Sequence, residues 1–368
     1  MTNQPINLLM ISGDRSLIKG EKGPFYYLLQ EFSKYWERID IICPGSEVNK
    51  GQAFNKVNLY GVQNSVQSIF KKAKEIYQQS KFEVMTVHDY PPFKHSKAAK
   101  LINQHLGVPY MVELHHIVGY PKKADVKEWL LKIYSEIFLK SVTKSAKAIR
   151  VVNKNQVPKF LQIAGIPKEK IVYLPSFYID REVFCPQELE KKYDLLFVGR
   201  LAKNKGLDLL TEVLVKLKKD LPEFKMAVVG RGKSEVVSSK SVITENVEFL
   251  GWLPDSQSLA KVYNQSKILL ITSYNEGGPR VGLEAMACGL PVISTKVGIM
   301  VDLITNGHNG YLADWSADEF VGSIKKLLAD EDLRQKIGQE AQQAVKQFDY
   351  SKMIKDYAEG VKKLIKNG

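Results

Sequence analysis

The strongest constraint on the fold is a rhythm of short apolar runs separated by helix-like segments. In the first half of the chain, six runs rich in β-branched or large apolar residues are predicted to be strands: INLLMIS, IDIIC, EVMTVH, PYMVEL, AIRVV and KIVYL. Between them lie segments with helical periodicity, such as 24–36, where Pro24 suits a first helical turn. Near-continuous apolar strands alternating with helices predict a parallel sheet covered on both faces.

The same rhythm starts again in the second half, with the runs YDLLFVG, FKMAVVG, VEFLG, KILLIT and PVIST. A segment with prolines at 175 and 186 and the charged run ELEKKYD separates the two series. A chain of 368 residues also suits two domains. We therefore predict an α/β protein with a first domain over 1–178, a linker over 179–192 and a second domain over 193–349. Two doubly wound sheets of this kind bind ligands beyond the carboxyl ends of their strands, here in a cleft between the domains.

Composition excludes several classes of protein. Hydrophobic residues make up 44% and charged residues 25%, which is typical of a globular chain. The opening apolar run, 6–11, is shorter than the core of a secretory signal, and no run approaches the roughly 20 apolar residues of a spanning helix. The scattered residues Cys43, Cys185 and Cys288 suit a reducing cytosol and match no metal-ligand spacing. We expect a cytoplasmic protein without a metal site.

The positive charge is concentrated in the first half. Residues 1–180 contain 26 Lys and Arg against 15 Asp and Glu, whereas residues 181–368 contain 27 against 25. Such a surplus attracts anionic surfaces, although a lysine-rich surface that only maintains solubility gives the same count. No aromatic stacking platform or recognition motif accompanies it, so nucleic acid is not an expected partner.

One predicted helix, within Pro121–Arg150, has a broad apolar stripe. The stripe consists of Val126, Trp129, Leu130, Ile133, Tyr134, Ile137 and Phe138, and it is flanked by lysines 122, 123, 127, 132, 140, 144 and 147. An apolar stripe edged by lysines suits a bilayer interface carrying anionic lipid, and it equally suits a helix that packs on the core. The sequence leaves both interpretations open.

In the second half, three segments follow predicted strands and therefore fall at one edge of the sheet. The first, 199–206 (GRLAKNKG), has Gly199 at the strand end, where a ligand can approach the backbone. Arg200 and Lys205 in this segment are suited to bind a diphosphate, although a basic strand-to-helix loop with solvated side chains gives the same pattern. The second is Gly230–Arg231–Gly232, a weak signal that lacks the rest of a dinucleotide fingerprint and so argues against a nicotinamide enzyme.

The third segment, 273–293, gives the strongest signal. A glycine-rich turn leads to Pro279 at a helix start, and Gly289 with Pro291 ends that helix. Amide groups at such a helix start bind phosphate. Two carboxylates, Glu276 in the turn and Glu284 inside the short helix, are suited to bind the hydroxyls of two sugar rings. The alternative is that Glu276 is only a helix-entry residue and Glu284 a member of a salt bridge. The predicted donor-contacting residues between them are Gly277, Gly278, Pro279, Arg280 and Val281.

The first half offers candidates for the facing side of the cleft. His115 and His116 end the strand PYMVEL, where a histidine either donates to a sugar hydroxyl or only makes the hydrogen bonds of its loop. His88 and Asp89, at the end of EVMTVH, are weaker candidates. Gly13, Gly20 and Gly23 lie in the loop after the first strand, where they either contact phosphate and acceptor or serve only as turn residues.

These motifs resemble the retaining glycosyltransferases of family 4. The resemblance rests on the E-x7-E spacing of Glu276 and Glu284, on EAMACGLPVIST and on GRLAKNKG, with FLGWLPD, NGHNGYL and FDYSKMIKDY in support. It covers residues 148–360 closely and the first half more loosely. The loop at 20–24 lacks the family's usual Gly-Gly pair.

The resemblance implies the GT-B fold, in which two Rossmann-like domains face a cleft and the last helix, here 350–368, packs back on the first domain. Arg200 and Lys205 would neutralise the departing diphosphate without a metal. Glu276 would hold the donor sugar, Glu284 the ribose hydroxyls, and His115, or alternatively His116, would reach the reacting sugar. The anomeric configuration would be retained.

The expected function is transfer of a sugar from a UDP- or GDP-linked donor to a glycan or lipid-linked acceptor. No cofactor is expected beyond this substrate. The expected location is cytoplasmic, or peripheral on the inner face of the plasma membrane at an anionic surface. Two alternatives keep the fold: a non-catalytic nucleotide-sugar-binding subunit, and a nucleotide-sugar epimerase, which would not be expected to carry the E-x7-E block.

Overall fold

The computed structural model describes residues 6–45, 49–175, 179–232, 245–253 and 255–366. The chain forms two α/β domains, each built around its own sheet. The apolar runs of the sequence form the central strands of the two sheets. In the run 7–11, for example, four of the five residues are buried. The fold confirms the prediction of two Rossmann-like domains.

Among the described residues, the first domain contains an eight-stranded sheet with the strand order β3-β4-β2-β1-β5-β6-β7-β8, in which β3 runs antiparallel to β4 and the other pairs are parallel. Its strands are β1 Asn7–Ile11, β2 Arg38–Pro44, β3 Asn49–Phe54, β4 Val57–Val62, β5 Val84–His88, β6 Tyr110–Leu114, β7 Ala148–Val151 and β8 Ile171–Tyr173. Its helices are α1 Pro24–Phe32, α2 Val66–Gln79, α3 Lys94–Leu106, α4 Val126–Val142 and α5 Gln156–Ile163.

The second domain contains a six-stranded parallel sheet with the order β11-β10-β9-β12-β13-β14. Its strands are β9 Tyr193–Val198, β10 Met226–Val229, β11 Val247–Gly251, β12 Ser266–Ile271, β13 Val292–Thr295 and β14 Tyr311–Ala313. The helices that follow β9 are α6 Leu207–Asp220, α7 Ser256–Asn264, α8 Arg280–Ala287, α9 Met300–Leu303, α10 Ala317–Ala329, α11 Glu331–Ala344 and α12 Tyr350–Lys366.

The last helix, α12, returns to the first domain. Its residues Ile354, Tyr357 and Val361 are buried in the same apolar cluster as Leu8 of β1. The ring of Tyr357 stacks on Phe32 of α1, with the ring centroids 4.6 Å apart. The predicted domain boundary at residue 178 lies outside the described residues.

The predicted apolar stripe forms helix α4, and the structure shows which way the stripe faces. The buried side chains of α4 are Ser135, Leu139 and Val142. On the opposite face, Val126, Leu130 and Ile137 are 68%, 55% and 64% exposed. Most of the stripe therefore faces outward, whereas Tyr134 packs against the core of the first domain. Within the described residues, no helix is long and apolar enough to cross a membrane.

Candidate active site

The loops that follow β9, β10 and β12 meet at one edge of the second sheet, and glycines allow their close approach. A Cβ atom at Gly230 would lie 1.8 Å from the carbonyl oxygen of Gly199, so the backbones of the two loops are in contact. Gly206, with φ +63°, is equally tight, because its Cβ would lie 2.0 Å from the Thr272 carbonyl. These contacts bring the segment 199–206 against the end of β12.

Lys205 and Glu276 form the centre of this edge. The Nζ of Lys205 lies 2.8 Å from Oε2 of Glu276, and both side chains are largely buried. The other carboxylate oxygen of Glu276 accepts a hydrogen bond from the Ser273 hydroxyl. The structure thus brings together a cation and a carboxylate predicted from separate motifs.

Glu284 lies on α8 and is more deeply buried than Glu276. Its carboxylate accepts a hydrogen bond from the Tyr263 hydroxyl at 3.1 Å and lies 2.9 Å from Nε of Arg280. Burial raises the pKa of Glu284 above its ordinary value, although Arg280 and Tyr263 act in the opposite direction. Arg280 therefore helps to keep this carboxylate ionised.

Between the two glutamates, the chain forms the turn that starts α8. Pro279 is the N-cap residue and is buried, and Arg280 is the first helical residue. Gly277, Gly278 and Val281 are partly exposed, so the turn borders the cleft. Arg231, after β10, is exposed and its guanidinium lies 4.3 Å from the centre of the Trp252 ring. The loops after β9 and β10 also touch at Gly232, where a Cβ atom would lie 2.5 Å from Cβ of Leu201.

The two candidate histidines face different groups. Nε2 of His115 lies 3.5 Å from Glu113 Oε2, and its ring stacks on His88 with the centroids 4.4 Å apart. Burial lowers the pKa of His116 to about 4, with His115, Lys205 and Arg200 acting in the same direction and Glu276 against it. The charges of Glu276, Lys205 and Arg200 therefore act on His116, whereas the side chain of His115 contacts Glu113 and His88 of the first domain.

The glycines of the first loop have different surroundings. Gly23 is the N-cap residue of α1 and lines the cavity described below. Gly13 packs near the ring of Tyr90, since a Cβ there would lie 3.3 Å from it. Gly20, with φ +77°, is exposed and a Cβ there would meet nothing within 4 Å. Of the three, only Gly23 borders the cavity.

A cavity of about 640 Å³ opens between the first loop, the ends of β1, β5 and β6, and the second domain. Its lining includes three buried residues absent from the sequence prediction: Glu113, Arg150 and Tyr357. Arg150 Nη1 lies 2.9 Å from Glu113 Oε2, and the Tyr357 hydroxyl donates to Glu113 Oε1. Burial alone would raise the pKa of Glu113, but Arg150 and His115 lower it to about 2. The sequence offers a signal for Glu113 and Arg150, because each is a charged residue inside an apolar run, PYMVEL and AIRVV respectively.

Several hydrogen bonds join the two domains near the pair formed by Lys205 and Glu276. The side-chain amide of Asn275 donates to the Lys122 carbonyl at 3.0 Å and to Glu128 Oε2 at 2.8 Å. Asn153 donates to the carbonyl of Gly277 at 3.1 Å. The first turn of α4 is therefore bonded directly to the loop that carries Glu276.

Comparison with known proteins agrees with this architecture. Residues 179–344 match the family model described as glycosyl transferases group 1. An uncharacterized glycosyltransferase of Methanocaldococcus jannaschii is 26% identical over 77% of this chain and 76% of its own. A D-inositol 3-phosphate glycosyltransferase of Segniliparus rotundus is 27% identical over 62% of this chain and 55% of its own, so the match spans about half of that relative.

Solved structures show the same fold. Sucrose-phosphate synthase from Thermosynechococcus elongatus superposes with a TM-score of 0.79 at 16% identity, covering 99% of this chain and 100% of that chain. Anabaena HepE in complex with UDP superposes with a TM-score of 0.74 at 18% identity, covering 98% and 100%. The fold is that of the GT-B glycosyltransferases, and the second domain has the sequence pattern of group 1. The sequence matches support glycosyltransferase activity.

Proposed function

We propose that this protein is a retaining glycosyltransferase that moves a sugar from a nucleotide diphosphate sugar to a glycan or lipid-linked acceptor. The observation that carries the proposal is the pair formed by Lys205 and Glu276, 2.8 Å apart in the cleft. Lys205 is suited to bind the diphosphate and Glu276 to bind the sugar. In this proposal the pair therefore lies next to the bond between diphosphate and sugar that breaks. Arg200 is exposed in the loop after β9, and it acts in the same direction as Lys205 on the pKa of His116.

The chemistry follows from the charges that develop. The bond between the anomeric carbon and the diphosphate oxygen breaks, and the acceptor hydroxyl oxygen bonds to the same carbon. The hydroxyl proton leaves with the diphosphate. Arg200 and Lys205 stabilise the negative charge on the leaving group, a contribution of about 3–4 kcal/mol for a well-placed donor. These two cations supply the charge that a metal supplies in other folds.

The carboxylates orient the donor in this proposal. Glu276 accepts hydrogen bonds from hydroxyls of the transferred sugar, and Glu284 accepts them from the ribose. Arg280 and Tyr263 support Glu284 from behind. Attack on the face from which the diphosphate departs retains the anomeric configuration.

A thermal-shift panel tests the donor site, with UDP, GDP, ADP, CDP and dTDP each in the presence of a chelator. A ligand at about 100 times its dissociation constant adds roughly 2.7 kcal/mol, which is a shift of a few degrees. We expect one diphosphate to stabilise the protein and Arg200→Ala or Glu284→Ala to abolish the shift. Arg181→Ala, an exposed arginine outside the cleft, is the matched control. Absence of any shift at millimolar nucleotide contradicts the proposal.

We further propose that the enzyme works at an anionic membrane surface on the cytoplasmic side, through helix α4. The outward stripe of α4 leaves large apolar side chains in contact with solvent, which monomeric proteins usually avoid over extended patches. Lys123, Lys127 and Lys140 are exposed around it. This combination supports interfacial binding, and it belongs to the domain that holds the cavity.

A further inference from the structure

We propose that Glu113 is a positioning residue of the transferase: it holds the ring of His115 with the Nε2–H group toward the first domain, so that Nδ1 faces the cavity as a hydrogen-bond acceptor. This inference rests on the proposed transferase function for its catalytic part, and it adds the tautomer of His115 and the residues that fix it. Glu113, Arg150 and Tyr357 are buried residues of the cavity lining to which the reaction described above assigns no role; we call them the floor of the cavity.

The floor holds the Glu113 carboxylate in one orientation, because each of its oxygens has its own donor. Arg150 Nη1 lies 2.9 Å from Oε2, and the Tyr357 hydroxyl donates to Oε1. Nε of Arg150 donates to the Leu174 carbonyl at 2.8 Å, and the guanidinium lies 3.6 Å from the centre of the Tyr357 ring. Glu113 is therefore fixed by strand β7 on one side and by helix α12 on the other.

The Glu113 carboxylate is ionised, so it only accepts hydrogen bonds. Burial alone would raise the pKa of Glu113, but Arg150, His115 and Tyr357 lower it to about 2. An ionised carboxylate has no proton to donate. A ring nitrogen that faces this carboxylate must therefore carry the proton itself, since two acceptors would otherwise face each other.

The nitrogen that faces Glu113 is Nε2 of His115. It lies 3.5 Å from Glu113 Oε2 and is buried without a hydrogen bond among the described residues. Hydrogen bonds of active sites are often this long before a substrate binds. The His115 side chain is nevertheless 33% exposed and lines the cavity, so we assign the ring edge opposite Nε2, which contains Nδ1, to the cavity side. In the neutral ring this Nδ1 has no proton and only accepts.

The neighbouring ring of His88 adds no charge that opposes this arrangement. It stacks on His115 with the ring centroids 4.4 Å apart. Burial lowers the pKa of His88 to about 3, with His115 and His116 acting in the same direction and Glu113 against it. His88 is therefore neutral at neutral pH, and the ionised Glu113 decides which nitrogen of His115 is protonated.

The tautomer determines what His115 does in the transfer. A substrate group that faces Nδ1 must donate a hydrogen bond, which a hydroxyl group does and an ionised phosphate oxygen does not. His115 then orients a substrate hydroxyl and does not protonate the departing diphosphate. The proton on the diphosphate still comes from the acceptor hydroxyl, so the reaction needs no further proton source.

NMR of the full chain labelled with nitrogen-15 histidine measures the tautomer directly. Correlations between ring protons and ring nitrogens distinguish a protonated nitrogen from an unprotonated one, and His115→Gln identifies the His115 signals among those of the six histidines. We expect a neutral His115 ring at neutral pH with its proton on Nε2. A proton on Nδ1, on both nitrogens or averaged between them overturns the inference.

Two variants test whether the floor fixes the tautomer. Glu113→Leu with Arg150→Met removes both members of the buried ion pair, which leaves no unpaired charge. In this double variant we expect the His115 proton to be shared between both nitrogens, and kcat to fall about 100-fold with a nearly unchanged KM for the nucleotide sugar. Tyr357→Phe keeps the ring beside Arg150 and removes only the hydroxyl. It should shift the His115 signals and lower kcat about tenfold.

Each variant has a matched control. Asp40→Leu with Arg38→Met removes another carboxylate–arginine pair of the same sheet, with the two groups 2.8 Å apart and outside the cavity lining. Tyr350→Phe removes a hydroxyl of the same helix, α12, that donates to the Tyr27 carbonyl. Neither control should alter the His115 signals.

Unchanged His115 signals in both floor variants, or changes that the controls share, contradict the role of Glu113. If the double variant does not fold, the spectra of the unsubstituted protein and of Tyr357→Phe still decide. The spectra do not depend on turnover, so the two hypotheses are separable. Cleavage of a donor with the His115 proton on Nδ1 makes the inference wrong and leaves the transferase proposal intact. If no donor is cleaved, the transferase proposal fails together with the catalytic part of the inference, and the spectra alone decide the tautomer.

Discussion

Gly277 touches the carbonyl group of His115 across the domain boundary: a Cβ atom at Gly277 would lie 1.9 Å from that oxygen. The backbone next to Glu276 thus packs directly on the end of β6. This contact joins the loop that carries Glu276 and Gly277, which we call the donor loop, to the cavity of the first domain. The contact requires a residue without a side chain at position 277.

Gly277→Ala should therefore wedge the domains apart. The insertion of a methyl group into a packed contact costs about 1–3 kcal/mol. We expect nucleotide affinity to fall about tenfold, as measured by calorimetry. Gly322→Ala is the control, because a Cβ there meets nothing within 4 Å on the exposed side of α10. Unchanged affinity in Gly277→Ala would mean that the donor site does not depend on this contact.

The environment of Glu284 predicts a pH dependence. Burial raises its pKa, so an ionised carboxylate is lost at a higher pH than for an ordinary glutamate. Nucleotide affinity should fall as the pH is lowered through that raised pKa, because only the ionised form accepts both ribose hydroxyls. Calorimetry between pH 7.5 and 5 measures this. Glu284→Gln should bind weakly and lose part of this pH dependence, the rest coming from the terminal phosphate of the nucleotide, which titrates at about pH 6. A pH profile in the variant that equals that of the unsubstituted protein would contradict the role of Glu284.

The raised pKa of Glu284 affects the stability of the free protein in the opposite sense: nucleotide affinity falls as the pH is lowered, whereas stability falls as the pH is raised. The folded state binds this proton more tightly than the unfolded state, so the contribution of Glu284 to stability is lost as the pH rises through its folded pKa. Glu284→Gln should therefore raise the midpoint of thermal unfolding at pH 7.5 while it weakens nucleotide binding. A lower midpoint would show that the pair with Arg280 outweighs the cost of burial.

Asn275 should couple helix α4 to the donor loop. Its amide is buried and bonds to both Lys122 and Glu128. Asn275→Ala should lower stability by about 1–2 kcal/mol and increase hydrogen exchange of the segment 117–128. Asn246→Ala, which removes two amide hydrogen bonds outside the cleft, is the control. Equal exchange in 117–128 for both variants would contradict the coupling.

The exposed face of α4 should bind vesicles that contain phosphatidylglycerol. Leu130→Ser with Ile137→Ser removes the apolar contact, and Lys123→Glu with Lys127→Glu reverses the charge, at about 1 kcal/mol per lysine. Both pairs should reduce cosedimentation at low salt, whereas Lys336→Glu with Lys346→Glu on the second domain should not. Equal binding by all three pairs would remove the membrane proposal and leave the transferase proposal intact.

The central strands could be predicted from sequence because each is an apolar run long enough to be buried on both faces. Strands β3 and β4 were not predicted, since β3 is a polar antiparallel edge strand with the sequence NKGQAF. β14 has only three residues. Helix α4 was predicted with its stripe, but the sequence could not decide between core and surface, because that depends on which residues the sheet leaves uncovered.

Candidate residues on the donor side could be predicted because glycines, cations and carboxylates follow strands directly. The floor of the cavity could not. Glu113 and Arg150 are neighbours only because β6 and β7 pair in that register. Tyr357 reaches Glu113 from 244 residues away along the chain, and no local pattern indicates such a contact.

Turnover of a nucleotide sugar tests the central claim most directly. The enzyme is incubated with UDP- and GDP-linked sugars and with methyl glycosides of glucose, mannose, galactose and N-acetylglucosamine as acceptors. Diphosphate release and the anomeric signals of the product are followed by NMR. We predict release of one diphosphate per glycoside formed, with retained configuration and a rate about 100-fold or more lower in Lys205→Ala. Nucleotide binding without cleavage of any donor would contradict catalysis and indicate a nucleotide-sugar-binding subunit.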